Sequence, residues 1–485
     1  MSPQSPFKTS NPRFYSRLLP ESPTPPDQAV VLSVLSDLGA KMIDVDDETP
    51  VSGGLEILVT AGYTYFGQFL DHDLTKDKSS LEDAAKTSPA HLRNVQTPRL
   101  DLSHLYEVEP GQSKTLYEKN KIHLRVGTPG GSGLSFDVAL ERDRTPSVGD
   151  SRSAENAIIR QVTAVFARYH NFAVNHCDPV LEKEAPFKRA RLQMIWQFQW
   201  LVVDDYLRNL LSRDVYAKLF ERKEPTFAWD EKKNQKFSIP VEFSVAAMRF
   251  GHSMVRQSYL LSLNPDGDKN LCELFGKTSA SGNLTDDFEI DWGAFFQGAG
   301  QAPTVLSRPI DTRIGLPLHH LPTDLVRLFN VAPPARSFLG DPPQLPVRSL
   351  LRGRALNLPT GQAAARAFGV RELTENELLN CDNNGTASEQ GKILQEAGLL
   401  KDTPLWYYIL RESEVMENGN CLGPSGSHII AETIYAALRS DPNPYSYCKM
   451  PKWRPPVWRG LPEGDGPLPD LISFFGMAPQ IQSPY

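Results

Sequence analysis

The chain has 485 residues, is 40% hydrophobic and 22% charged, and carries a formal net charge of -7. That is the make-up of a globular protein with a large core, with length enough for two or three domains. The acidic balance argues against a nucleic-acid partner, whose phosphates need a basic surface, and no run approaches the ~18 apolar residues of a membrane span.

Met1 to Pro26 is polar and rich in proline and lacks the apolar centre of a secretory signal. The default expectation is the cytoplasm, with unconventional export left open, and residues 1–28 are expected to form an extended arm. Gln28 to Ala40 reads as a short helix. In Leu55 to Leu70, the apolar positions Leu55, Leu58, Val59, Gly62, Phe66, Phe69 and Leu70 recur at three- and four-residue spacing, which predicts a helix with one buried face. It leads into Gly67-Gln68-Phe69-Leu70-Asp71-His72-Asp73. If the helix continues, successive side chains point about 100° apart. Asp71 and Asp73 then cannot serve one small site; one can face a cofactor beside His72 and the other a cation. Taken alone, the triplet is more simply a helix end with solvated acids and a core histidine.

Lys76 to Arg93 is charged and expected as surface loop, Thr97 to Tyr106 as a compact loop, and Val126 to Gly149 as turns with short strands. Ser153 to His176 predicts a long helix with Ile158, Val162, Val165, Tyr169 and Phe172 as its apolar stripe. Phe187 to Leu211 predicts a second, rich in aromatics and central. Ile239 to Leu263 predicts a third, opened by Pro240 near its first turn. From Arg439 the chain reads as loop, and Met450 to Pro469 is too rich in Pro, Gly and Trp for regular structure. Strand signals are few. The expected fold is mainly α with few short strands: one large helical domain over 29–485, its C-terminal segment wrapping, preceded by the arm. The five cysteines, Cys177, Cys272, Cys381, Cys421 and Cys448, are scattered and form no CxxC or CxxCH pattern. They are expected to be reduced and carry no assigned chemistry.

Three further stretches can carry chemistry. His252 lies among Ala246, Ala247, Phe250 and Met254, with Arg249 three residues earlier on the same face. A histidine for iron with an arginine for an anionic rim group is what haem binding requires, although the stretch taken alone is more simply a buried structural histidine with an arginine reaching solvent. Arg152 and Glu155 share one side of a helix start, where a local ion pair or first-turn capping is the plain alternative. Thr97, Asp101 and Ser103 offer side-chain oxygens and Arg99 its carbonyl, a pattern that wraps a hard cation such as calcium or else forms an Asx/Ser turn. One carboxylate is too little charge for tight calcium binding, and Asp73 is available as the second.

In combination and in this order, GQFLDHD, TPRLDLS, GDSRSAEN, MRFGHS and RGRALNLP resemble the animal-type haem peroxidases of the peroxidase–cyclooxygenase superfamily, most closely their shorter bacterial-type members. The resemblance runs from about Leu55 to Gln362 and is weaker in Ser307 to Leu318 and near the C-terminus. It implies a helical haem peroxidase domain binding haem b and calcium. His72 is then the distal histidine, Arg152 the distal arginine and Gln68 the distal glutamine that helps order water or halide. His252 is the proximal iron ligand, and Arg249 and Arg352 match arginines that pair with haem propionates. Asp71 and Glu155 match carboxylates that can form ester links to the haem. Asp73, Thr97, Arg99, Asp101 and Ser103 match the calcium loop.

Two departures stand out. Ser349 occupies the position of the family's proximal asparagine, with Arg348 before it, and serine is expected to reach His252 only weakly or through water. Asn156 lies where one mammalian member carries a haem-bonded methionine, and no methionine lies near it here, so that link is not expected. The resemblance implies a peroxidase that reduces hydrogen peroxide via a ferryl intermediate and oxidises halide, thiocyanate or a small phenolic donor. A fatty-acid or specialised-metabolite oxygenase is the alternative, but the radical-forming tyrosine of cyclooxygenase-like members is replaced by Arg249. A non-catalytic haem-binding protein would not require His72, Arg152 and Gln68 together. Neither the oligomeric state nor the donor follows from the sequence.

Overall fold

Apolar residues at helical spacing bury one face each, and in this chain they set a framework of helices around the stretch that holds His72. The computed structural model describes residues 14–20, 28–44, 59–106, 112–113, 115–127, 137–227, 237–263, 266–279, 282, 284–296, 304–319, 321, 344–380 and 385–481. Most of the N-terminal arm, Leu55 to Leu58 and Cys381 lie outside the described residues; the other four cysteines are free thiols.

Helix α1 (Gln28–Ala40) has the predicted bounds. Helix α2 (Ala61–Leu74) starts later than Leu55, because Thr60 is extended and acts as its N-cap, and it continues through Asp71-His72-Asp73 until Thr75 turns extended. The expected loop after it contains a short helix, α3 (Leu81–Lys86), closed by a capping box between Ser80 and Asp83. A single turn, α4 (Ser103–Tyr106), ends the predicted compact loop. Helix α5 (Ala157–Ala173) is capped by Asn156, whose side chain accepts from the amides of Ile158 and Ile159, and it is buried on all faces rather than along one stripe. Helix α6 (Pro186–Trp200) runs on as a π-helical turn, Leu201–Tyr206, and then α7 (Leu207–Leu210).

The predicted helix over Ile239 to Leu263 is not continuous. Pro240 caps a five-residue helix, Val241–Val245; Ala246 breaks it at φ −124°, ψ −71°; and a 3₁₀ stretch, Ala247–His252, follows. Residues Ser258–Leu260 then form a strand antiparallel to Asp268–Asn270. His252 therefore closes a 3₁₀ turn instead of lying mid-helix. Arg249 still shares its face, since residues three apart eclipse in a 3₁₀ helix. At the C-terminus, Pro424–Ser440 is helical and the irregular stretch after it holds only a two-residue strand pair. A final helix, Leu471–Met477, capped by Asp470, lies where no regular element is predicted.

The core joins α2, α5 and α6. Phe69 stacks on Phe166 at 4.3 Å, Phe198 meets both edge-on, and Phe474 from the last helix closes the cluster against Phe166. The N-terminal strip docks alongside: the amides of Leu18 and Leu19 donate to the buried carboxylate of Glu242 at 3.0 and 3.2 Å. Deep in α5, Arg160 forms a two-pronged pair with Asp137, Nη2 to Oδ2 being 2.6 Å, and the amide of Leu284 donates to the same carboxylate. This pair anchors the helix that follows Arg152 and Glu155.

Breaking one side of a buried pair leaves an uncompensated charge. Asp137→Ala should lower the unfolding free energy by about 3–5 kcal/mol, whereas Asp137→Leu with Arg160→Met should recover most of the loss. Urea melts followed by circular dichroism check both variants.

Candidate active site

The two divergent carboxylates of α2 face opposite neighbourhoods, as the helical geometry requires. Asp71 and His72 line a cavity of about 360 Å³, together with Gln68, Arg152, Glu155, Arg249, His252 and Arg352. Asp73 is fully buried and faces the other way, toward the loop before α4.

On the α2 side of the cavity the polar groups are linked. Gln68 donates to the carboxylate of Glu155, Asn156 donates to the amide oxygen of Gln68 at 3.3 Å, and His72 Nε2 lies 3.4 Å from Glu155 Oε1. Arg152 donates through Nη2 to the carbonyl of His72 at 3.1 Å, and through Nε and Nη2 to both oxygens of Asp150, at 3.2 and 3.0 Å. Burial opposes the charge on both partners. Arg152 with Lys76 nevertheless holds the Asp150 carboxyl well below the usual carboxylate range, and Asp150 keeps the guanidinium pKa raised. Burial pushes Asp71 up, against Arg152 and a 2.9 Å hydrogen bond from Thr75.

Across the cavity, burial and then the charge of Arg249 push His252 down to about 3, so its imidazole is neutral at ordinary pH. Its Nδ1 is buried and lacks a hydrogen-bond partner among the described residues. Arg249 donates to the carbonyl of Ser244 at 3.4 Å and to the hydroxyl of Ser349 at 3.2 Å. Ser349 is thus engaged by Arg249 and does not itself line the cavity. Burial and the neighbouring Arg352 push Arg249 down to about 10, still a cation at neutral pH. Arg348 also lines the cavity, while Arg352 is held by Asp77 and by the carbonyls of Ser79 and Ser80.

These residues fit a haem. A neutral histidine on the cavity wall suits iron ligation through one ring nitrogen, with the buried, unpartnered Nδ1 left for an acceptor behind it, and three arginines gathered at one edge suit carboxylates. His252 would hold the iron, and Arg249 with Arg352 would face the propionates.

Behind α2, the oxygens expected for a cation converge. Thr97 Oγ1 lies 2.7 Å from Asp101 Oδ1, 3.5 Å from the Arg99 carbonyl and 3.4 Å from Ser103 Oγ, and Ser103 Oγ lies 3.3 Å from Asp73 Oδ1. Leu102 adopts a left-handed conformation at φ 56°, which turns its amide and that of Ser103 onto Asp73 at 3.1 and 2.6 Å. His104 Nδ1 lies 3.2 Å from Asp73 Oδ1. Burial and the charge of Asp73 push Asp101 up to about 6, a repulsion a cation between them would reverse. Among the described residues no three His, Cys, Asp or Glu side chains gather around a metal position. The cluster is instead built largely of hydroxyl and carbonyl oxygens, the donors a hard cation takes.

Three residues of the site were not singled out from sequence. Asp150 stands inside GDSRSAEN, and an aspartate two positions before an arginine at a helix start is a legible capping signal. Tyr15 and Tyr206 reach the cavity only through tertiary packing.

A family model described as animal haem peroxidase matches residues 78–443, beginning just beyond His72. No curated protein matches the chain in sequence. Peroxidase A from Dictyostelium discoideum shares the fold with a TM-score of 0.55 at 17% identity, over 92% of this chain and 88% of that one. A fatty acid alpha-dioxygenase from Arabidopsis thaliana gives a TM-score of 0.59 at 14% identity, over 89% and 72%. That from Oryza sativa gives 0.62 at 12% identity, over 89% and 76%. With the family model matching most of its length and the helical fold in common with these structures, the chain belongs to the animal haem peroxidase family.

Proposed function

We propose that the protein is a hydrogen-peroxide-dependent haem peroxidase acting on a halide, thiocyanate or a small phenolic donor. The observation that supports this best is Arg152, clamped by Asp150 and bonded to the carbonyl of His72, in one cavity with a neutral His252. Haem, when bound, supplies the iron and stores the oxidising equivalents of the peroxide. His72 takes the proton from one peroxide oxygen and returns it to the other, as base and then acid. Arg152 stabilises the negative charge that develops as the oxygens part, and Asp150 keeps that guanidinium charged and in place. Gln68, held by Asn156, orders a small polar molecule beside His72. Asp71 and Glu155 lie on the cavity wall, where ester links to the haem edge can form.

Calcium belongs to the same reading. Held by Asp73, Thr97, the Arg99 carbonyl, Asp101 and Ser103, it would brace α2 one residue from His72. The apolar part of the cavity wall, Met254, Val255, Leu271, Phe275 and Leu318, gives an oxygenase acting on an apolar substrate some support. Arg249 in place of a radical-forming tyrosine weighs against it. Peroxide turnover with iodide, bromide, thiocyanate and phenols, set against oxygen uptake with a fatty acid, separates the two.

His72→Ala should keep its haem and slow the peroxide reaction by about 10²-fold or more, the scale of acid–base catalysis. Stopped-flow absorbance at the haem band measures this, and a rate near wild type would reject the role. Asp73→Ala should lose calcium and loosen haem together. Elemental analysis and haem transfer to an acceptor protein read the two effects, and wild type purified without chelator but free of calcium would overturn the cation assignment.

A proximal histidine becomes a more electron-rich ligand as its other ring nitrogen finds a stronger acceptor. Ser349 is engaged by Arg249, so Ser349→Asn, with a longer side chain and an amide oxygen, should make the Fe(III)/Fe(II) potential more negative. An unchanged or less negative value in spectroelectrochemistry would show that position 349 does not tune His252.

A further inference from the structure

The π-helical turn Leu201–Tyr206 places two adjacent residues, Asp205 and Tyr206, against α2. Such wide turns interrupt regular hydrogen bonding and are frequent at functional positions. Tyr206 lines the cavity. Its phenol packs against the Cα of Gly67, where any Cβ would collide with it, so the glycine permits the approach beside Gln68. Asp71 acts electrostatically on the same phenol, which places it near the residue assigned to the haem edge. The ring of Tyr206 lies nearly parallel to that of Tyr63, at 14° and 6.4 Å between centroids. Tyr63 in turn donates to Asp205 Oδ1 over 2.6 Å, and Asn209 Nδ2 donates to both, at 3.3 and 2.7 Å. The other oxygen of Asp205 accepts the amide of Leu471 at 2.6 Å. Tyr63 is 7% exposed and Asp205 6%.

We propose that Tyr63, stacked on the cavity-lining Tyr206 and hydrogen-bonded to Asp205, is a redox-active tyrosine that takes up an oxidising equivalent from the cavity. This rests on the peroxidase reading, because the oxidant is the haem after peroxide has oxidised it. One electron passes from Tyr63 by way of Tyr206 and reduces that oxidant by one equivalent. The phenolic proton moves along the hydrogen bond to Asp205 Oδ1. The products are a neutral phenoxyl radical at Tyr63 and a neutral carboxylic acid at Asp205. A one-electron donor of the phenol class then returns an electron, and Asp205 returns the proton.

A buried tyrosine cannot be oxidised cheaply unless its proton has somewhere to go, since a protonated radical cation would add a charge to a low-dielectric interior. Tyr63 has that acceptor at short range. Burial already raises the pKa of Asp205, which favours its protonated form once the proton arrives. Tyr206 has no carboxylate hydrogen-bonded to it among the described residues, so the equivalent passes through its ring and settles on Tyr63. A purely structural role for Asp205 would satisfy the buried Tyr63 hydroxyl and pin the last helix through Leu471, and would leave no radical on Tyr63.

The test uses the haem-loaded full chain, mixed with one equivalent of hydrogen peroxide without donor and freeze-quenched for electron paramagnetic resonance. Wild type should give a tyrosyl signal that narrows when the protein is grown on ring-deuterated tyrosine. Tyr63→Phe and Asp205→Asn should each lose it while the haem band still responds to peroxide. A haem band that responds with no tyrosyl signal, or a signal that survives Tyr63→Phe, overturns the proposal and leaves the peroxidase reading intact. A haem band indifferent to peroxide overturns both. Should a variant fail to fold, spin-trap adducts mapped by mass spectrometry on wild type decide: an adduct on Tyr63 supports the assignment, and adducts confined to other residues reject it.

Discussion

The carboxylate of Asp150 is the constraint on which the α2 side of the cavity depends. It is buried to 1% exposure, and an isolated charge there would be prohibitively costly. It is offset by donors from three directions: both prongs of Arg152, Lys76 at 3.0 Å and Gln96 at 2.7 Å. Those donors come from the turn before α5, from the end of α2 and from the stretch leading to the Thr97 loop. Because Arg152 also bonds the carbonyl of His72, one buried charge fixes the arginine, the histidine's backbone and the entry to the Thr97–Ser103 stretch relative to one another. Removing it would leave two half-buried cations facing each other, so the ionised form of Asp150 and the local geometry support one another.

Helix α2 turns that constraint into a division of labour. Its 100° step sends Asp71 to the cavity and Asp73 to the far side, with His72 between them. Asp73 is satisfied by two backbone amides that converge only because Leu102 accepts a left-handed conformation. Strain of this kind persists where the surroundings over-determine it. Here the buried carboxylate does so, and the loop that wraps it is tied to α2 one residue away from His72.

Much of this was legible in the residues, and the exceptions have physical causes. The periodic stretches that became α2, α5 and α6 were readable because each buries apolar positions at helical spacing. The order of the motifs pointed to His72, Arg152 and His252, and the cavity brings them together. The break at Ala246 was not readable, since alanine is the best helix former and nothing in the local sequence marks the change to a 3₁₀ turn at this buried position. The helix at Leu471–Met477 was obscured by its Pro- and Gly-rich approach, although Asp470 with Ser473 carried a capping signal. The contact between Ser349 and Arg249 joins residues a hundred positions apart, and spacing alone could not distinguish it from a contact with His252.

That contact bears on the electrostatics of the His252 side of the cavity. Arg249 is a half-buried cation whose hydrogen bonds among the described residues go to neutral acceptors, the carbonyl of Ser244 and the hydroxyl of Ser349. A guanidinium so placed has two electrostatic consequences. It disfavours protonation of His252, three residues on, keeping a lone pair available to a metal across the whole ordinary pH range. It also leaves positive charge at an edge already carrying Arg348 and Arg352, with Asp77 bonded to Arg352 and Asp71 farther along the wall. An anionic group bound at that edge relieves the cost of burying Arg249 while leaving His252 neutral. In the proposed reading the same arginine would favour a cofactor with carboxylates at its rim and keep His252 neutral as the ligand for its centre. Exchanging it for tyrosine would remove both effects at once, so in the proposed reading the position would serve binding of the cofactor rather than radical chemistry at that point.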